Sequence, residues 1–92
     1  MKSDVAETLA LRALAWIAAD EEFAGAFLAA SGASADELRS RAGDPEFLGF
    51  VLDFLLSDDA AVLAFCEAAA VETDLPMRAR AALPGGDVPD WT

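Results

Sequence analysis

The sequence predicts an all-α single domain, a compact bundle of five to six short helices with an extended C-terminal tail. Three observations predict it. Alanine (22 of 92 residues) and leucine dominate and β-branched residues are rare, so local preference is helical throughout. Apolar residues recur three and four apart, the period of a helix face rather than of a strand. Clusters of Asp, Ser, Pro and Gly interrupt the pattern and supply start and stop signals. At 9.6 kDa, area scaling gives roughly 5,000 Å² folded against about 14,000 Å² unfolded, enough to bury about 60% of the surface in one core. Residues 1–83 are read as one helical domain and residues 84–92 as a tail packed on it. Disorder is disfavoured, because acidic disordered chains are poor in apolar residues and this one is 55% hydrophobic.

The first helix is expected over residues 4–19, with Ser3 or Asp4 as N-cap. Helical winding puts Val5, Leu9, Ala13, Trp16 and Ile17 on a core-seeking face, with Asp4, Glu7, Thr8 and Arg12 opposite. Asp20, Glu21 and Glu22 open the second helix with negative charge at the positive end of its dipole. Phe23, Phe27 and Ala30 follow at helical spacing, and Gly32 is its stop. Ser34 and Glu37 have capping-box spacing and open a short third helix that ends near Gly43. Asp44-Pro45 restarts the chain as N-cap and first helical residue.

The fourth helix, residues 45–56, is the most apolar, leaving only Glu46, Gly49, Asp53 and Ser57 for water. Such a helix is central in its fold or faces a partner. Ser57, Asp58 and Asp59 cap the fifth, where Val62, Phe65, Cys66 and Ala69 line one side. The sixth starts near Pro76 and stops at Leu83 before Pro84-Gly85-Gly86. Residues 87–92 contain proline and Trp91 and are expected to be extended.

The chain also repeats itself. A shift of 38 sets Leu14 on Leu52, Trp16 on Phe54, Ile17 on Leu55, Asp20 on Asp58 and Phe27 on Phe65. One further residue of slip aligns Leu38-Arg39-Ser40-Arg41-Ala42 with Met77-Arg78-Ala79-Arg80-Ala81. Each half reads as a three-helix unit, and two units are too few for a solenoid, so a compact bundle is expected.

Composition removes several functions. Without histidine and with one cysteine, Cys66, the usual zinc and iron sites, intramolecular disulfides and imidazole-activated nucleophiles are gone. Six basic against 17 acidic residues, a net charge of −11, disfavour nucleic acid and anionic membrane surfaces. The longest charge-free stretch, residues 23–35, is too short and too polar to span a bilayer. The N-terminus shows no signal-peptide cleavage pattern, so a cytoplasmic location is expected.

The remaining candidates each have two readings. The acidic clusters Asp20-Glu21-Glu22 and Asp58-Asp59 have the residue type to hold a hard cation such as Ca²⁺ or Mg²⁺ jointly, but are read as caps, since no calcium-type loop accompanies them. Cys66 is either a reactive thiol or intermolecular disulfide site or a buried free thiol, and is read as the last because no base lies nearby in sequence. Arg39 with Arg41, and Arg78 with Arg80, stand two apart and so point about 200° from each other. Their plain reading is cations near helix C-termini; the sharper one makes Arg78 and Arg80 part of a basic edge for an acidic partner. Arg12 and Asp53 are read as solvent-facing, with a cross-helix ion pair as the other option. Trp91 either folds back onto the bundle or serves as a docking peptide for a partner.

The runs Ala13-Leu14-Ala15-Trp16-Ile17-Ala18-Ala19-Asp20-Glu21, Val51-Leu52-Asp53-Phe54-Leu55-Leu56-Ser57-Asp58, Ala64-Phe65-Cys66-Glu67 and Met77 through Asp87, with the ending Trp91-Thr92, resemble a family of small bacterial proteins. The family is that of domain of unknown function 3572. The resemblance spans nearly the whole chain and implies a small helical protein; it carries no activity or catalytic residues. The functional expectation is therefore a non-catalytic protein–protein interaction or regulatory module. The alternative is a binder of a small apolar ligand, such as a fatty acyl chain, between the Phe-rich helices. Acidic mimicry of nucleic acid ranks below both, because the carboxylates are scattered over helix starts. No cofactor and no metal are expected, and the partner is an unidentified protein or a second copy of the chain.

Overall fold

The computed structural model describes residues 1–84. Among the described residues six helices follow one another: α1 (Ser3–Ala18), α2 (Glu21–Ser31), α3 (Ala35–Arg41), α4 (Pro45–Leu56), α5 (Asp59–Ala69) and α6 (Leu75–Ala81). No strand occurs among the described residues. Of the expected tail only Pro84 is described; Trp91 lies outside the described residues.

Aspartate side chains start three helices. Asp20 accepts from the amides of Glu22 and Phe23, Asp58 from those of Ala60 and Ala61, and Asp44 from that of Glu46. Each bond satisfies an amide that the helix itself leaves unpaired, and each cap stabilises by about 1 kcal/mol. Ser34 and Glu37 form the expected capping box. The first helix departs from expectation: Lys2 is its N-cap and no side chain caps it. Asp4 has instead entered the first turn, where its carboxylate accepts from the Val5 amide at 2.9 Å and its charge meets the positive helix end. Helix α6 stops at Ala81 rather than Leu83. The Ala82 and Leu83 amides bond only three residues back, to the Ala79 and Arg80 carbonyls, a 3₁₀ tightening that ends the α winding before Pro84.

Helices α1 and α4 form the central pair, and α6 lies against both. Helix α2 packs on α1; α5 packs on α4 and more lightly on α1. Leu9, Ile17, Phe27, Leu48, Leu52, Leu55 and Phe65 fill the space between them and are all buried, each side chain stabilising by about 1.5–3 kcal/mol. Around Phe27 the rings of Phe47, Phe50 and Phe54 close at centroid distances of 6.0, 5.6 and 5.1 Å.

Two face assignments need correction. Val5 is 51% exposed, while Ala6 and Ala10 join Leu9, Ala13 and Ile17 in the core. Winding weighted by side-chain size points to valine, but the contact is made by small side chains that let neighbouring helices approach. Gly49, placed on the solvent stripe of α4, is buried. A Cβ there would stand 2.8 Å from Arg80 Nη1 and 3.3 Å from the Pro84 carbonyl oxygen, so the missing side chain is the space these groups occupy.

The repeat is visible as matched corners. Helices α2 and α5 both have 11 residues, start on aspartates 38 apart, and end on left-handed C-caps 38 apart, Gly32 at φ 68° and Ala70 at φ 58°. The bends before them also agree: the Asp20 amide bonds to the Ile17 carbonyl, and the Asp58 amide to that of Leu55. The equivalence ends at the third helices. Helix α3 has no buried residue, whereas α6 buries Pro76 and Ala79.

Candidate functional site

Where the two corners meet, the ends of α1 and α4 and the starts of α2 and α5 enclose a groove of about 460 Å³. The 38-residue shift relates three pairs on its walls: Trp16 with Phe54, Ile17 with Leu55, and Phe23 with Ala61. Ala26 completes the α2 side, and Ser57, Asp58 and Asp59 form the rim. Trp16, Phe23 and Phe54 are each only partly buried. The indole ring of Trp16 lies 5.2 Å from the ring of Phe23 and 5.8 Å, edge-on, from that of Phe65. These contacts pack the partly buried rings against one another and against the core along the groove wall.

The rim is chemically simple. Asp58 Oδ1 is engaged by the α5 amides at 3.0 and 3.2 Å, which keeps the carboxylate at the helix start. The Ser57 hydroxyl donates to the Phe54 carbonyl at 2.6 Å, so its proton is committed to backbone. No lysine or arginine lines this groove among the described residues. A second groove, of about 330 Å³ between α1 and α3, is lined by Leu11, Leu14, Leu38 and alanines, with Arg39 as its charged member.

The arginines singled out in the sequence sit elsewhere. Arg78 is exposed, 3.9 Å from Asp74. Arg80 is mostly covered: its Nε meets Asp53 Oδ1 at 2.6 Å and its Nη1 donates to the Pro84 carbonyl at 3.0 Å. The structure therefore separates the pair, one member on the surface and one in a clasp joining α6 to α4. Arg39 and Arg41 lie 3.9 Å from Asp36 and Glu37 on their own helix. Arg12 donates to the Ala69 carbonyl at 2.9 Å, a cation at the negative end of α5. Thus Asp53 does make a cross-helix ion pair, with Arg80, and Arg12 takes a backbone acceptor.

Cys66 is buried. Burial pushes its thiol above the ordinary value, and the nearby Asp74 carboxylate adds to the rise. Such a thiol is inert rather than nucleophilic. Among the described residues no three His, Cys, Asp or Glu side chains converge as metal ligands, and no helix is long and apolar enough to cross a membrane.

The groove escaped the sequence reading, which gave Trp16 to the core. Its signal was present in the repeat: an aromatic residue four before each capping aspartate, Trp16 before Asp20 and Phe54 before Asp58. Spacing within one half does not reveal that the two corners face each other.

No curated protein and no solved structure matches the chain. A family model does, described as a protein of unknown function (DUF3572), over residues 3–86. With that match covering nearly its full length, the chain belongs to the DUF3572 family.

Proposed function

We propose that this protein is a non-catalytic protein-interaction module whose docking face is the aromatic groove between the two corners. The observation that carries the reading is the exposure of Trp16, Phe23 and Phe54 around one concavity. Partly open aromatic rings gain most from being covered by a partner, and such residues dominate interface energies. The lack of an activated nucleophile beside them supports a binding role over a chemical one: Ser57 is tied to backbone and Asp58 to helix amides. A photo-cross-linking residue at Ala26, on the groove wall, tests the reading in the native host. A discrete protein adduct is expected there and not from Ser40 on α3. Equal labelling from both positions, or none from either, rejects it.

A second reading, a binder of a small apolar ligand, is favoured by the leucine-lined groove between α1 and α3. Its size lies within the range of small-molecule sites. Native mass spectrometry of protein taken from its host would then show an added mass, lost on Leu38→Arg substitution.

A further inference from the structure

We infer that the partner of the aromatic groove is a basic amphipathic helix, an inference that rests on the interaction reading above. Charge selects this occupant. The chain carries a net charge of −11, and the groove rim adds Asp58 and Asp59 with no basic residue among the described lining. Four of the arginines lie within 4 Å of carboxylates, and Arg12, which shares a neighbouring hollow with Trp16, is bonded to the Ala69 carbonyl. The field at the mouth is therefore negative, and it attracts cations and repels acids.

The other occupants all carry the wrong sign. A second copy of the chain brings the same excess of carboxylates. Residues 85–92 contain Asp87 and Asp90 and no basic residue. A fatty acid presents a carboxylate. A lysine- or arginine-bearing segment instead meets the rim aspartates Asp58 and Asp59.

Shape selects a helix. The described residues contain no strand and hence no sheet edge to extend. The groove lies between helix ends and measures about 460 Å³, room for a few large apolar side chains such as a helix projects from one face. Leucine or phenylalanine anchors facing Trp16, Phe23 and Phe54, with Lys or Arg flanking them toward Asp58 and Asp59, satisfy both features.

The test uses the full chain carrying Trp91→Phe, so that Trp16 is the sole fluorescent reporter. Three synthetic peptides of about 16 residues are titrated: leucines on one helical face with lysines elsewhere, the same with glutamates, and a scrambled lysine peptide. The first is expected to shift Trp16 emission and to bind at least about ten-fold tighter than either control, with affinity falling as salt is raised. Asp59→Lys and, separately, Ala26→Phe are expected to weaken binding several-fold; both positions are exposed, and circular dichroism checks that each variant folds.

Equal binding of lysine and glutamate peptides overturns the inference while leaving a docking groove. Equal binding of the scrambled peptide overturns it as mere charge attraction. Binding that appears only when residues 85–92 are deleted assigns the groove to the chain's own segment and overturns it. So does a dimer in sedimentation whose Trp16 is already shielded. Absence of binding by all three peptides also overturns it, and the Ala26 cross-link then decides separately whether the interaction reading survives.

Discussion

Helices α3 and α6 are both seven residues long, both carry Arg-x-Arg near their ends, and hold the same place in the two halves, yet one lies on the surface and the other in the core. Helix α3 is made locally. A capping box closes its start and ion pairs to Asp36 and Glu37 run along it, and none of its residues is buried. Helix α6 reverses this: its N-cap Asp74 makes no side-chain cap bond, while Pro76 and Ala79 are buried and Arg80 reaches across to Asp53. A seven-residue helix is marginal alone, and the two halves supply the missing stability by different routes. Capping chemistry serves where Leu38 packs only partly against the core, and packing serves where Pro76 and Ala79 are buried in it.

The largest effect should come from breaking the third helices at aligned positions. Ala79→Pro removes a backbone bond and distorts a packed helix, and is expected to cost about 3 kcal/mol or more. Ser40→Pro melts α3 alone and should cost about 1 kcal/mol or less in global stability. Denaturant titration of both variants measures the difference; equal losses would mean that α3 is as integral as α6.

The matched corners can be sharpened by exchange. Gly32 and Ala70 hold the same left-handed C-cap, at φ 68° and 58°. An L side chain there costs roughly 1–2 kcal/mol. Ala70→Gly should therefore stabilise by about 1 kcal/mol and Gly32→Ala should destabilise by a similar amount, read as opposite shifts in thermal midpoint. Shifts of the same sign would break the equivalence of the corners.

The smallest expected difference separates the arginines. Arg80→Ala loses the Asp53 pair, the Pro84 bond and the cover over Gly49, for about 1 kcal/mol. Arg41→Ala loses one exposed pair within its own helix, about 0.3 kcal/mol. A double-mutant cycle between Asp53 and Arg80 should show coupling, and one between Glu37 and Arg41 almost none.

What was legible in the sequence was mainly local. The capping aspartates, the Ser34–Glu37 box, Pro45 as first helical residue and the Gly32 stop stand where their own chemistry puts them. The centrality of α4 followed from its lack of a wide polar face. The departures are all tertiary. Burial of Gly49 depends on a guanidinium arriving from 31 residues away in sequence. The alanine edge of α1 prevails over Val5 because of what packs against it, which helical winding does not encode. The groove likewise belongs to the meeting of two corners. Each corner was readable; their apposition was not.

The position of α6 has a consequence in time. It lies against α1 and α4, so its seat includes residues made long before it. Helix formation takes about a microsecond or less, whereas synthesis proceeds at roughly 5–20 residues per second. Between completion of α5 at Ala69 and of α6 at Ala81, synthesis takes on the order of a second, far longer than α6 needs to wind. As the last of the six helices to be made, α6 closes the surface that α1 and α4 share, and arrival of the chain rather than winding of the helix sets when that surface is covered.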